Sequence, residues 1–267
     1  MNISLPDFLI IGAAKCGTTS LYRTLLLHEN IVGPEAKELQ YFSSDYKFHT
    51  FDINWYKSLF PEKEVHQLLC EASPQYCAEE YLRRIKTTYQ DKKLKLIYII
   101  RNPVDRFISQ YSHFRAKNII LNNEELFDKV KKGPYQAGNW DMNRWKRETT
   151  LFKELALNTN ATNDYYHRGL YLPIIKEVDK LFGKSNLHLI IFEDLITDYQ
   201  NELNKVFNFL NIERQPIKLE HANKRETWSD LADVSGEIDD ASVNIVREFY
   251  KPHNEKLYEY LGRDLKW

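Results

Sequence analysis

The stretch Phe8-Leu9-Ile10-Ile11-Gly12-Ala13-Ala14-Lys15-Cys16-Gly17-Thr18-Thr19 decides how this chain reads. Its first four residues form a short unbroken apolar run that stops at a glycine, the pattern of a strand buried on both faces of a parallel sheet. Leu21, Thr24, Leu25 and His28 then recur at helical spacing, and Thr18, Thr19 and Ser20 are residue types favoured at a helix N-terminus. The segment therefore predicts a P-loop-like order of strand, glycine loop and helix.

Two further apolar runs, Lys95 to Ile100 and Leu187 to Phe192, have the same buried-strand character. Apolar periodicity predicts helices over Val104 to Lys117, Leu170 to Phe182, Ile196 to Leu210 and Ala241 to Leu261. Strands alternating with helices imply an α/β fold, a central parallel sheet flanked by helices, in a single domain over residues 1–267. With 43% hydrophobic residues the chain has enough apolar material for a substantial core.

The balance of 37 basic and 38 acidic residues leaves a formal charge of −1, so no global field draws nucleic acid or an anionic membrane, and any anion must be held locally. Cys16, Cys70 and Cys77 read as free thiols of a reduced compartment. Pro6 and Asp7 interrupt the N-terminal hydrophobicity, no secretory leader is evident, and the longest apolar run, Leu96 to Ile100, is far too short to span a bilayer. A cytoplasmic protein is expected.

A loop between a buried strand and a helix aims backbone N–H groups and the positive end of the helix dipole at one point, which favours phosphate. Gly12 and Gly17 let the backbone approach a ligand, Lys15 adds a charge, and Thr18 and Thr19 offer hydroxyl donors. The triphosphate-binding form of such a loop places lysine directly after the second glycine. Here that position is Thr18 and the lysine comes earlier, at Lys15; the nearest acidic pair for a metal is Glu193-Asp194. A magnesium-dependent nucleotide kinase or triphosphatase is thereby disfavoured but stays open, as does a nucleotide-binding relative without chemistry.

The segment Phe8 to Leu21 resembles the 5′-phosphosulfate loop of sulfotransferases that use 3′-phosphoadenosine-5′-phosphosulfate (PAPS), especially the branch of heparan sulfate sulfotransferases and many bacterial enzymes. The run Leu96-Ile97-Tyr98-Ile99-Ile100-Arg101-Asn102-Pro103-Val104-Asp105-Arg106-Phe107-Ile108-Ser109 is similar to that family's 3′-phosphate site. Glu71 to Tyr76 resembles its second strand and turn, His221 to Arg225 its late nucleotide-covering loop, and Phe249 to Trp267 its C-terminal helix and tail. The resemblance implies that Gly12, Ala14, Lys15, Cys16, Gly17, Thr18 and Thr19 hold the 5′ end of the nucleotide and that Arg101 and Ser109 hold the 3′-phosphate. It makes Lys224 and Arg225 late phosphate contacts and requires no metal. Pro103 at a helix start and Arg101 at a strand's carboxyl end fit that reading physically.

Sulfuryl transfer needs neutralisation of the departing phosphate, a task that suits Lys15, and a base on the acceptor. Lys37-Glu38-Leu39-Gln40-Tyr41-Phe42 looks like the family element that supplies this base, with Glu38 as the base and Lys37 keeping it ionised. The cytosolic branch instead uses a histidine, and His28, His49, His66, His113 and His167 remain candidates. Heparan-type members often carry histidine where Gln40 stands and lysine where Ala72 stands, so these departures argue against a sulfated polysaccharide and for a small-molecule acceptor, such as a natural product. The aromatic segment Tyr135, Trp140, Trp145, Tyr165, Tyr166 and Tyr171 suits a pocket wall, and the acidic run Asp230, Asp233, Glu237, Asp239 and Asp240 suits a cationic alkaloid of saxitoxin type. Neither nucleic acid nor membrane is expected as a partner, and the sequence leaves oligomeric state open.

Overall fold

The computed structural model describes residues 4–90, 93–116, 166–218 and 240–267. Five strands, β1 (Phe8–Gly12), β2 (Ile31–Val32), β3 (Leu68–Ala72), β4 (Lys95–Ile100) and β5 (Leu187–Ile191), form one sheet in the order β2-β3-β1-β4-β5. Every described pairing is parallel. All five residues of β1 are buried, as a strand covered on both faces requires.

The helices are α1 (Thr18–Leu25), α2 (Asp45–Thr50), α3 (Ile53–Ser58), α4 (Glu79–Tyr89), α5 (Pro103–Ala116), α6 (Tyr171–Phe182), α7 (Phe192–Thr197), α8 (Tyr199–Leu210) and α9 (Asp240–Leu261). In α1, Thr18, Leu21, Tyr22 and Leu25 are buried, a 3.6-residue stripe that packs on β1 and β3. Leu203, Val206, Phe207 and Leu210 repeat the pattern in α8, which packs on β5. Among the described residues no helix is long and apolar enough to cross a membrane.

The chain forms two compact units, Met1–Arg101 with Pro173–Asn223 and Asn102–Leu172 with Lys224–Trp267. The first contains the whole sheet. The second has its own core of Val104, Phe107, Tyr111, Tyr166, Val246 and Tyr250, in which the Tyr250 hydroxyl donates to the Tyr166 carbonyl at 2.9 Å.

Three local expectations change. The strand expected over Leu187 to Phe192 stops at Ile191 because Phe192 opens α7, and the helix expected over Ile196 to Leu210 divides at Asp198, whose side chain accepts from the Asn201 N–H and caps α8. Thr18, Thr19 and Ser20 do not cap α1: its N-cap is Gly17, in the left-handed region at φ 88°.

Candidate active site

Strand order puts the reversal of chain direction between β1 and β4: after β1 the chain crosses to β2 and β3 on one side, then to β4 and β5 on the other. In parallel α/β sheets ligands bind beyond the carboxyl ends of the strands at that point. The glycine loop leaves β1 there, the segment with Lys37 and Glu38 follows β2, Ser73 to Tyr76 follows β3, Arg101 follows β4 and Phe192 follows β5.

The glycine loop is fixed from both flanking strands. Ala13 N–H donates to the Ile99 carbonyl of β4 at 2.7 Å, and Cys77 N–H, beyond β3, donates to the Ile11 carbonyl at 2.9 Å. A Cβ at Gly12 would lie 3.0 Å from both the Pro74 carbonyl oxygen and the Tyr98 ring, so only glycine fits this exit from β1. Ser44, Asp52 and Asp198 cap α2, α3 and α8 with their side chains, whereas α1 has neither a capping side chain nor an acidic residue in its first turn. The positive end of its dipole is thus left for an anion supplied from outside the helix.

Arg101 joins this loop. Its Nη1 donates to the Lys15 carbonyl at 3.4 Å, and its guanidinium lies 4.8 Å from the Phe192 ring centroid. The same ring would be 2.8 Å from a Cβ at Gly17. Phe192 therefore packs against both the second loop glycine and the expected 3′-phosphate arginine. Sequence reasoning gave it no such role, and its place directly after a buried strand at the ligand edge was the available signal. Gly17→Ala combines left-handed strain with this clash, and it is expected to lower unfolding free energy by about 1–3 kcal/mol in urea titrations. Adding Phe192→Leu should recover part of the loss, because it removes the ring and leaves the backbone strain.

Lys37 Nζ and Glu38 Oε1 pair at 2.5 Å, with side chains 17% and 38% exposed. Burial pushes the Lys37 amine below its ordinary value; Glu38 opposes the shift, and the nearby Arg23 of α1 adds to it. Glu38 and Gln40 both take positive φ, 65° and 54°. Gln40 N–H donates to Ser73 Oγ at 3.1 Å, Phe42 N–H to the Tyr76 hydroxyl at 3.4 Å, and Lys47 Nζ to the Leu39 carbonyl at 2.7 Å. A non-glycine chain in the left-handed region keeps that shape only where its surroundings hold it.

The first unit thus brings Gly12, Ala14, Lys15, Cys16, Gly17, Thr18, Thr19, Lys37, Glu38 and Arg101 to one edge of the sheet. Ser109 is half-buried on α5, in the second unit. Lys224 and Arg225, the acidic residues 230–239, and Tyr135, Trp140, Trp145 and Tyr165 lie outside the described residues. Tyr166 and Tyr171 are buried, Tyr166 in the core of the second unit. His28 is a poor base: Nε2 is bonded to the Glu213 carbonyl at 2.9 Å and Nδ1 accepts from Asn30 N–H at 3.1 Å. Cys16 and Cys70 are buried and Cys77 half-buried, all as free thiols. Glu193 and Asp194 open the first turn of α7, and among the described residues no group of three or more His, Cys, Asp or Glu is placed to hold a metal ion.

Residues 5–230 match the family model described as "Sulfotransferase domain". Human heparan sulfate glucosamine 3-O-sulfotransferase 5 is 26% identical in an alignment of 287 residues that covers 98% of this chain and 74% of that protein. The membrane-associated sulfotransferase kil1 of Dictyostelium discoideum is 25% identical, with 99% of this chain and 67% of that protein covered. A sulfotransferase from Alicyclobacillus acidocaldarius has the same fold, with a TM-score of 0.68 at 22% identity over 99% of this chain and 98% of that one.

Proposed function

The chain belongs to the sulfotransferase family, and from that premise we propose that it moves the sulfuryl group of PAPS to a hydroxyl or amine of a small acceptor of natural-product kind. The observation that carries the reading is the N-terminus of α1, reached through the glycine loop, without a capping side chain or an acid in its first turn, and with Arg101 tied to the same loop. Two cationic side chains and an open helix N-terminus at one sheet edge suit a ligand with two separated anionic groups.

In this reading the nucleotide supplies an activated sulfuryl group on a phosphate leaving group. The loop N–H groups with Gly12, Ala14, Cys16, Gly17, Thr18 and Thr19 bind its 5′ end, and Lys15 compensates charge on the departing phosphate. Arg101, with Ser109 by family resemblance, binds the 3′-phosphate, and Lys224 and Arg225 add late contacts. Glu38 accepts the acceptor's proton, with Lys37 paired to it 2.5 Å away. The chain is read as a single sulfotransferase domain over residues 1–267, a reading supported by a family match that runs over residues 5–230. Free cysteines support a cytoplasmic setting.

A small acceptor is favoured over a sulfated polysaccharide by the near-neutral charge and by the absence of a basic side chain at the buried Ala72. Calorimetry with the desulfated nucleotide, adenosine 3′,5′-bisphosphate, tests the donor: binding is expected to be the same with and without magnesium. Preference for ATP with magnesium would instead make the protein a triphosphate enzyme. Labelled sulfate transfer from PAPS to p-nitrophenol and to a heparan sulfate oligosaccharide then separates the acceptor classes.

A further inference from the structure

β3 carries a carboxylate, Glu71, at 0% exposure inside an otherwise apolar strand. Burial raises its pKa, and three hydroxyls act in the opposite direction. Ser73 Oγ donates to Oε1 at 2.6 Å, the Tyr76 hydroxyl donates to Oε2 at 3.1 Å, and the Tyr56 hydroxyl also donates to Oε2. An apolar side chain would fill the same volume without the cost of desolvating a charge, so packing alone does not account for an acid here.

Two of the three hydroxyls have a second partner. Ser73 Oγ accepts the Gln40 N–H and the Tyr76 oxygen accepts the Phe42 N–H. A hydroxyl whose proton is committed to a carboxylate has its lone pairs turned outward, and bonds in such a chain strengthen one another. The Gln40 amide itself also favours the ionised form of Glu71. One carboxylate therefore orients both hydroxyls that hold the backbone at 40 and 42, on the segment where Glu38 and Gln40 are left-handed.

We infer that Glu71 is a positioning residue, which through Ser73 and Tyr76 fixes the backbone that presents Glu38 to the acceptor. The inference rests on Glu38 being the base, and its substrate consequence is that the acceptor meets a preset carboxylate rather than a mobile one.

Amide hydrogen exchange by NMR on the full chain tests it. Glu71→Gln, which cannot accept from all three hydroxyls, is expected to speed exchange at Gln40 and Phe42 by roughly ten-fold or more, the loss of about one hydrogen bond each. Ser73→Ala, the milder variant should Glu71→Gln fail to fold, is expected to free Gln40 and leave Phe42 protected. Tyr250→Phe removes a buried hydroxyl from the second unit and should change neither. Amides 40 and 42 that stay protected in Glu71→Gln, or Gln40 that stays protected in Ser73→Ala, would overturn the inference. Transfer from PAPS to 2-naphthol, whose hydroxyl is protonated at neutral pH, at the wild-type rate by Glu38→Gln would instead remove the base beneath it, so the two failures are read from separate measurements.

Discussion

Lys15→Ala is expected to lower turnover by about 10²–10³-fold, the typical loss for removing one donor aimed at charge that develops in a transition state. Affinity for adenosine 3′,5′-bisphosphate is expected to change by less than about ten-fold, because the loop N–H groups, the α1 N-terminus and Arg101 all remain. The unequal losses are the signature of an interaction that strengthens on the way to the transition state. Lys15 also sits at φ 70°, and its carbonyl accepts from Arg101; alanine keeps the Cβ, so it carries the same left-handed strain as the lysine and loses only the amine and its stem. Lys15→Gly removes the amine without that strain. Equal turnover in the two variants assigns the loss to the ammonium; a further fall in the glycine variant is the cost of loosening the loop backbone. Steady-state rates with PAPS and calorimetry with the desulfated nucleotide give both numbers, and a matching fall in affinity would move Lys15 into ground-state binding.

The centre of the fold is legible because its strands are apolar without interruption. Phe8 to Ile11 and Lys95 to Ile100 become β1 and β4, and the sheet order places them side by side at its middle. β2 is two residues long and gives periodicity nothing to work on. β3 is interrupted by Glu71, so apolar patterning does not mark it and only the family resemblance of Glu71 to Tyr76 pointed to a strand; its three hydroxyl partners, one of them 15 residues away, come together only in the fold. The site follows the same division. Gly12, Lys15, Gly17 and Arg101 are adjacent to strand ends and could be read from local order. Phe192 looked like strand and acts against Gly17 and Arg101, which it reaches only through the parallel pairing of β4 with β5. Tyr166 and Tyr171 show the opposite error: aromatic composition suited a pocket wall, and the fold uses both as buried packing.

Glu38→Gln is expected to reduce turnover by about 10²–10⁴-fold, the usual contribution of a positioned general base. Glutamine keeps the volume and can still meet Lys37, so the loss isolates proton acceptance from packing. Lys37 sharpens the test. Its amine is already held below its ordinary value by burial, and Glu38 is the main group that pulls it back, with a smaller contribution from Glu71. Without that carboxylate the ammonium is still less favoured in the folded chain than in the unfolded one. The folded-state value, already depressed, falls further, so Glu38→Gln should lose stability relative to wild type at pH values where an unfolded lysine is protonated, and recover as pH rises toward 10.5. Lys37→Met with Glu38→Gln removes the amine and should restore neutral-pH stability without restoring turnover. Stability and catalysis then separate: a double variant that regains turnover would make the single loss a folding effect, whereas one that folds normally and stays slow places the proton on Glu38. Among the histidines, His28 cannot substitute, since both of its ring nitrogens are engaged in hydrogen bonds.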